Sequence, residues 1–408
     1  MDLTVTSTVF IICLLIGPLI ISRKVTARRY SFLAVSGILF LLSFQNIIST
    51  VCALIFIILP YIYIFLKTHL DIQNKQLPKN LIYLPIAIQV ILFIYLNQYT
   101  WVFNLLNVEI PSYISILGLS YILFRQMDVL LQVNAKLVEK VDLIDYLNYL
   151  LSFWTLLAGP IQRYRDFIEN FYHPAEVARS DELNYLHRCA NGFIKIFVGV
   201  YLLGLKDEIA LYYLDTGNLL YLVPVLYLFP IYLYLNFSGY CDVVISMARW
   251  SGFILPENFD KPYLARDMVD MWNRWHISLS QWLRDYVYQP LFKLLLTHTS
   301  AKYLSICQYT SIFMTFTLMG VWHGTTLTFL AFGLIQGMGL AISMYYRNLC
   351  KRHLGKEGYK KYYASKKTVY FERFVTLHFW CFSLIFIEYD VSTFIKNLLT
   401  VVGNLGVV

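Results

Sequence analysis

The chain has 408 residues, of which 58% are hydrophobic and only 14% are charged. Soluble domains carry about 25% charged residues, so this composition excludes an ordinary soluble protein and indicates an integral membrane protein. The net charge of +8 does not indicate nucleic-acid binding, because the basic residues fall in short clusters between apolar runs, as in loops that orient membrane helices. The seven cysteines show no CxxC spacing, so we expect neither a disulfide framework nor a metal site.

The N-terminal part of the chain predicts a series of membrane spans. Leu3–Ser22 is long enough to cross roughly 30 Å of hydrocarbon, and the basic cluster RKVTARR follows it instead of preceding it. This pattern predicts a retained first helix with its N-terminus outside. The basic segment KTHLDIQNKQLPK is then expected on the cytoplasmic side. The next predicted spans are Tyr30–Ser49, Val51–Leu66, Leu81–Leu96 and Ile110–Phe124.

The middle of the chain is less regular. Leu143–Leu157 is apolar but leads into AGPIQRYRDF, where Gly159-Pro160 is expected to break any helix. Between Ser238 and Leu296 the chain is polar and aromatic, and it contains no clean span. A polar segment of this kind is tolerated within the membrane only where it is buried in protein or lines a water-filled cavity. Clear spans are predicted at Phe193–Leu205, Leu219–Leu235, Tyr303–Met319, Thr325–Tyr345 and Leu377–Ile387.

The stretch MWNRWHISLSQWLRDYVYQPL, residues 271–291, combines charges, tryptophans and a histidine. Read as one helix, it has a continuous apolar-aromatic stripe formed by Trp272, Trp275, Leu279, Trp282 and Tyr286. The other side carries Asp270, Arg274, Gln281 and Asp285. One interpretation is a helix in the membrane interface, with tryptophans toward lipid and charges toward water. That interpretation leaves open the role of His276, which lies beside the stripe.

A second histidine, His323, lies in the apolar stretch LMGVWHGTTLTFLAFGLIQGMG. Placing an ionisable residue inside a membrane span costs free energy, so such a residue indicates function. The alternative is a histidine that only forms a hydrogen bond to a neighbouring helix. A neutral imidazole can accept the proton of a hydroxyl that attacks an activated acyl group. The surrounding glycines and threonines would allow a substrate to approach closely.

These two histidine segments resemble the membrane-bound O-acyltransferase (MBOAT) superfamily in its bacterial branch. AGPIQRYRDF and FSGYCDVVISMARWSGFILPENFDKPYLARDM resemble it too, and the likeness covers roughly Leu117 to Tyr345. The resemblance implies an all-α polytopic membrane protein, a ring of roughly 10–12 helices around a central tunnel with re-entrant and amphipathic segments. We expect one membrane acyltransferase domain over residues 1–408, with N-terminal spans in 1–110, the core in 117–345, and a C-terminal loop and last span in 346–408.

Two groups within that branch are similar to this sequence. LGLSYILFRQ, VDLIDYLNYLLSF and the WNRWH form look like the teichoic-acid D-alanyl transferases. AGPI, PENFDKPYL and WHISLSQWLRDY look like the O-acetyltransferases of alginate and cell-wall polysaccharides. The glycine-rich loop that usually follows the RDY segment in the acetyltransferases is replaced here by QPLFKLLLTHTSAK. The sequence therefore supports both D-alanyl and acetyl as the transferred group.

The resemblance also implies the site. The family's nearly invariant histidine falls on His323, expected to be the catalytic base, and its second histidine falls on His276, expected to face the tunnel and orient a substrate. We expect the tunnel to be lined by Trp272, Asn273, Trp275, Ser238 and Trp322. No metal and no permanently bound cofactor are expected, because the acyl group would arrive on a thioester donor.

The resemblance implies transfer of a D-alanyl or acetyl group from a cytoplasmic thioester, across the membrane, to hydroxyls of an envelope polymer or polysaccharide. The expected partners are membrane lipid, an acyl carrier protein or acetyl-CoA on the cytoplasmic side, the polymer, and an extracytoplasmic transferase, but no nucleic acid. The expected location is the bacterial cytoplasmic membrane, crossed many times. Two alternatives are a transporter or flippase of an envelope precursor and a non-catalytic membrane partner of a secreted transferase.

Overall fold

The computed structural model describes residues 16–17, 21, 24–42, 47–73, 75, 77–107, 118–176, 178–216 and 219–388. These residues are nearly all helical, and they include no strand, only one isolated bridge between Phe259 and Trp275. Six of the described helices are long and apolar enough to cross a membrane. A seventh candidate is a pair, Asn80–Leu96 and Thr100–Leu106, bent by 100°. The prediction of an all-α polytopic membrane protein is thus confirmed.

The described helices are numbered here in chain order. They are α1 Val25–Leu42, α2 Ile47–Ile72, α3 Tyr83–Leu96, α4 Thr100–Leu106, α5 Leu119–Asn134, α6 Leu143–Leu150, α7 Tyr164–Tyr172, α8 Arg179–Thr216, α9 Leu222–Trp250, α10 Met268–Arg274, α11 Ile277–Leu283, α12 Gln289–Thr297, α13 Leu304–His323, α14 Leu327–Ala364 and α15 Lys366–Glu388. A π-helical turn, Arg284–Tyr288, joins α11 to α12.

Several predicted boundaries need correction. The predicted span Tyr30–Ser49 is wrong at its end, because α1 stops at Leu42 and Ser49 belongs to α2. The polar region was expected to begin at Ser238, but α9 continues as a candidate span to Trp250. Most of the predicted first span, Leu3–Ser22, and residues 110–117 of another lie outside the described residues.

The chain divides into two compact units, the first formed by residues 1–192 with 241–256 and the second by 193–240 with 257–408. An aromatic cluster forms the core of the first unit. Phe32 packs on Phe153, with ring centroids 5.2 Å apart, and on Phe171 and Phe253, each at 5.5 Å. All four side chains are fully buried. The cluster therefore anchors α1 against α7 and against the segments that follow α6 and α9.

A buried carboxylate fixes the AGPIQRYRDF segment in the first unit. α6 ends at Leu150 and the chain turns before the Gly159-Pro160 bond, as the sequence predicts. Asp128 is fully buried on α5 and accepts hydrogen bonds from the Tyr149 hydroxyl at 3.0 Å and from the Tyr164 backbone at 2.7 Å. Arg163 Nη1 donates to the same carboxylate at 3.3 Å. A buried charge must be paired and hydrogen-bonded, and these donors meet that need.

In the second unit, α13 and α14 form a hairpin with close backbone contact. A Cβ atom on Gly333 would lie 2.6 Å from the Phe316 carbonyl oxygen and 2.8 Å from Gly320 Cα. A Cβ atom on Gly324, in the turn, would lie 2.0 Å from the Phe329 ring. Only glycine permits this approach, so the glycines set the position of His323 at the end of α13.

Candidate functional site

The chain is broken at His276, and the predicted continuous helix over residues 271–291 is wrong. α10 ends at Arg274, Trp275 is extended, and α11 starts at Ile277. His276 adopts a left-handed conformation with φ 46° and ψ 53°. A residue other than glycine costs roughly 1–2 kcal/mol in this region. Such backbone conformations persist only where the surrounding structure imposes them, and they cluster at functional sites.

The residues around Asn258 impose this turn. The Asn258 backbone oxygen accepts from Ile277 N at 3.0 Å, while its side-chain oxygen accepts from both the backbone N and the hydroxyl of Ser278, at 3.1 and 2.9 Å. Two residues further on, Asp260 N donates to the Arg274 backbone oxygen at 2.9 Å. The segment thus holds the chain on both sides of His276. Asn258 was not predicted as a site residue, although it lies in the PENFDKPYL segment.

The His276 imidazole is buried, with 3% of the residue exposed. The Phe237 ring packs against it edge to face, with ring centroids 4.9 Å apart. Burial, with a smaller contribution from His323, lowers the pKa of His276 to about 3. The imidazole is therefore neutral at physiological pH, and the two histidines lie within electrostatic reach of each other. Its Nε2 atom has no hydrogen-bond partner among the residues that the structure describes.

His323 is the last residue of α13 and is partly exposed. Its ring contacts Trp322, with centroids 4.6 Å apart, and Phe332 at 5.8 Å. The glycine-lined hairpin fixes the backbone on both sides of it. Of the two histidines that the sequence singled out, His276 thus lies on a strained turn and His323 at a helix end, within electrostatic reach of each other.

The predicted lining residues have different surroundings. Trp275 is buried and packs on Trp380, with ring centroids 5.1 Å apart. Ser238 is buried next to Phe237, and its Oγ forms no hydrogen bond within the described part of the chain. Trp322 is partly exposed beside His323, and Asn273 is exposed.

The tryptophans of this stretch do not face lipid, so the interface interpretation is wrong for them. Trp272, Trp275 and Trp282 are all buried within the protein. Trp272 Nε1 donates to Gln336 Oε1 at 3.0 Å, and Gln336 Nε2 donates to the Ser383 hydroxyl at 2.7 Å. Gln336 and Ser383 are fully buried, so this network ties α10 to α14 and α15. Gln336 was not predicted as a site residue, although it is a lone amide within the apolar run FGLIQGMG.

A cavity of about 260 Å³ lies beside the histidine turn. Trp272 and Asn273 line it, whereas the other predicted lining residues and the two histidines do not. Arg284 and Tyr288 add polar groups, and the wall opposite is apolar. The apolar wall is formed by side chains of α13 and α14, namely Ile312, Phe316, Leu340 and Met344. The cavity combines an apolar wall with a few polar groups, as small-molecule sites do.

Comparison with protein families supports the resemblance. The model of the MBOAT, membrane-bound O-acyltransferase family, matches residues 89–389. The match extends beyond the expected range, Leu117 to Tyr345, at both ends and includes every residue of the candidate site.

Curated relatives belong to both of the groups suggested by the sequence. The teichoic acid D-alanyltransferase of Streptococcus thermophilus is 30% identical over 265 residues, which are 61% of this chain and 63% of that protein. The protein of the same name from Bacillus subtilis is 30% identical over 281 residues, 66% of this chain and 67% of that protein. The probable alginate O-acetylase AlgI of Pseudomonas aeruginosa is 33% identical over 229 residues, 55% of this chain and 42% of that protein.

Proposed function

Because the chain belongs to the membrane-bound O-acyltransferase family, we propose that it is an O-acyltransferase acting on a polymer of the bacterial cell envelope. The acyl group is D-alanyl or acetyl, in keeping with the names of the relatives. A cytoplasmic thioester supplies it, and a hydroxyl on the outer side of the membrane receives it. The observation that carries this proposal is the His276 imidazole, which is buried on a left-handed turn with its Nε2 atom unpartnered among the described residues.

In the proposed reaction His323 is the general base. A ring nitrogen takes the proton of the acceptor hydroxyl as its oxygen attacks the thioester carbonyl carbon. The carbon–sulfur bond then breaks, and the leaving thiolate takes the proton from the imidazolium. The products are an oxygen ester, a free thiol and a neutral histidine, so the base is regenerated. General-base assistance typically contributes roughly 10²–10⁴-fold.

His276 orients a substrate in this reaction. Its Nε2 atom is buried and lacks a partner in the described chain, and a buried polar atom of this kind needs a hydrogen bond. A hydroxyl of the acceptor or the thioester carbonyl oxygen supplies that partner. Ser238 Oγ, buried beside Phe237 and likewise unpartnered among described residues, offers a second contact nearby. Holding reacting groups in place accelerates a transfer whose acyl donor is already activated.

The cavity beside the turn is the proposed place for the donor. The phosphopantetheine arm of a carrier protein and the corresponding part of acetyl-CoA are both amide-bearing chains that end in a thioester. Asn273 and Arg284 can hydrogen-bond to such a chain, and the apolar wall can pack against its methylene groups. In this proposal Trp272 and Asn273 keep their predicted lining role at the donor, while Trp322 contacts His323 and Trp275 directly precedes His276.

The proposed cellular setting is the cytoplasmic membrane, with the N-terminus outside. An acyl carrier protein or acetyl-CoA approaches from the cytoplasm, and an extracytoplasmic transferase receives the acyl group where transfer is not direct. No cofactor is held permanently, since the donor brings the acyl group with it.

The test is mass spectrometry of envelope polymers from cells with and without the gene for this chain. We expect loss of ester-linked D-alanyl or acetyl groups on an otherwise intact polymer, restored by the wild-type gene. Unchanged ester content would contradict the proposal. Loss of the polymer itself would favour the transporter or flippase alternative.

A further inference from the structure

A strongly cationic segment lies between the last two candidate spans. Residues 347–367 contain eight Lys and Arg residues and one acidic residue, Glu357. Seven of these basic residues are exposed, namely Lys351, Arg352, Lys356, Lys360, Lys361, Lys366 and Lys367. The five lysines from Lys356 onward form no ion pair with any described residue. We call residues 347–367 the cationic segment; neither histidine of the candidate site belongs to it.

The cationic segment is folded back onto the protein. α14 is kinked at Gly355, where φ is 67°. The helical turns that follow the kink contact other residues of the same unit. The Tyr362 hydroxyl lies 2.8 Å from that of Tyr346. Arg266 stacks on the Tyr363 ring at 3.5 Å and donates to the Tyr363 backbone oxygen at 2.8 Å. The lysines are therefore presented on a fixed scaffold.

The position of the segment relative to the membrane follows from its neighbours. The candidate spans Leu327–Ala364 and Lys366–Ile387 are separated by one residue. The first has 38 residues, whereas about 20 suffice to cross the hydrocarbon, so its basic C-terminal part extends past the hydrocarbon. Exposed aromatic residues flank the lysines, with Tyr346 46% and Tyr370 69% exposed. Aromatic and basic side chains together mark the interface between headgroups and water.

A cleft of about 310 Å³ opens beneath the segment. Its charged groups are already paired, because Arg266 binds Glu372 at 2.7 Å and Arg347 binds Asp267. The rest of the lining is mostly aromatic and aliphatic, including Tyr346, Tyr359, Tyr362, Ile342, Phe371 and Val375, with the small residues Ser343, Cys350 and Thr376 between them. The cleft itself is thus close to neutral and largely apolar, while unpaired positive charge surrounds it.

We infer that the cationic segment and the cleft together form a binding site for an anionic phospholipid of the cytoplasmic leaflet. The lysines bind the phosphate-bearing headgroup, and the cleft takes the glycerol and the first part of an acyl chain. Clusters of four to eight Lys or Arg residues next to a membrane helix have the composition that attracts anionic lipids. The paired arginines keep the cleft wall neutral, so the apolar part of the lipid meets no uncompensated charge.

The geometry favours a lipid over an acidic protein. Spans on both sides of the segment hold its lysines at the headgroup level, and apolar rings are exposed beside them. A protein that docked through the same lysines would compete with the lipid headgroups already present at that level.

The test is native mass spectrometry of the purified full-length protein in detergent. It is titrated with dioleoylphosphatidylglycerol or with dioleoylphosphatidylcholine, and bound lipids are counted. We expect the wild-type protein to prefer phosphatidylglycerol. Each basic residue near an anionic surface is worth roughly fivefold in partition. A variant with Lys356→Gln, Lys360→Gln and Lys361→Gln should therefore lose this preference by one to two orders of magnitude.

The matched control carries Lys75→Gln, Lys136→Gln and Lys140→Gln, three other exposed lysines, and it should keep the preference. An unchanged preference in the first variant, or an equal loss in the control, would overturn the inference. Binding of inorganic phosphate to the wild-type protein as strongly as phosphatidylglycerol would also overturn it. Binding of an acidic acyl carrier protein to the wild-type chain in phosphatidylcholine nanodiscs, lost in the first variant, would overturn it too.

A second pair of variants tests the cleft. Val375 lines it, whereas its exposed neighbour Phe374 does not. Val375→Trp should fill the cleft and weaken binding of the first phosphatidylglycerol at least about tenfold, and Phe374→Trp should leave it unchanged. Full binding by the Val375→Trp protein would remove the cleft from the site and overturn the inference as stated.

Discussion

The backbone at His276 can be described as a left-handed turn or as part of a continuous helix. The two descriptions predict opposite signs for the difference in stability between two variants. The test compares His276→Gly with His276→Ala, which both remove the imidazole. In a left-handed turn, alanine costs roughly 1–2 kcal/mol more than glycine, while the freer unfolded chain of glycine offsets roughly 0.5–1 kcal/mol of this. The turn therefore predicts that the glycine variant is more stable by about 0.5–1 kcal/mol. A continuous helix predicts that alanine is more stable by about 1 kcal/mol.

The measurement is reversible unfolding of the purified protein in mixed micelles, with increasing sodium dodecyl sulfate and tryptophan fluorescence as the signal. Ser280, in the interior of α11, provides the control. Ser280→Ala should be more stable than Ser280→Gly, the usual order for a helix. If His276→Ala were also the more stable of its pair, the left-handed turn and the argument built on it would be refuted.

Three further predictions concern the surroundings of the histidines. Gln336→Leu should lower the free energy of unfolding by about 1–3 kcal/mol in the same titration, because the Trp272 N–H then lies buried without its acceptor; undiminished stability would contradict this. The pKa of His276 is lowered from 6.5 to about 3, so the unfolded chain takes up a proton below pH 6.5 while the folded chain does not. This histidine should therefore cost about 2 kcal/mol of stability between pH 7.5 and 5, and His276→Gln should show a loss smaller by that amount. We expect an acidic carrier protein to dock on the exposed Lys293, in α12, and Lys302, which follows that helix. Charge reversal at both lysines should then slow transfer from the carrier protein about tenfold but not from a free CoA thioester, and an equal loss with both donors would contradict docking at these lysines.

Hydropathy alone predicts most of the spans in this chain. α2, α3 and α13 match the apolar runs that the sequence marks clearly, because a membrane span needs about 20 apolar residues whatever its neighbours are. The runs Thr325–Tyr345 and Leu377–Ile387 predict only the first part of α14 and the second half of α15, because the remaining parts of these two helices carry many charged residues. The last turns of α9 were predicted as part of the polar region because they are not uniformly apolar. These turns are buried within the first unit and need not be uniformly apolar, so their polar residues resemble a loop.

The break at His276 is not predictable from local sequence. Residues on both sides of it are helical, and the tryptophan spacing continues across it as in a single helix. What breaks the helix is pairing with residues 258–260, which lie outside the stretch itself. The burial of the tryptophans likewise depends on distant residues, because Gln336 lies 64 residues after Trp272 and Trp380 lies about a hundred residues after Trp275. The identities of the two histidines were predicted, but their geometry depends on these distant contacts.

His323 is the proposed base, and the His323→Gln variant tests this role. Glutamine keeps a hydrogen-bonding side chain of similar reach but cannot accept and return the proton. The variant is expressed in cells that lack the wild-type gene, its insertion and purification yield are checked, and the ester content of the envelope polymer is measured by mass spectrometry. We expect a normally folded protein and ester content lowered by roughly 10²-fold or more, with a smaller loss for His276→Gln. Near-normal ester content with a well-folded His323→Gln protein would contradict the mechanism.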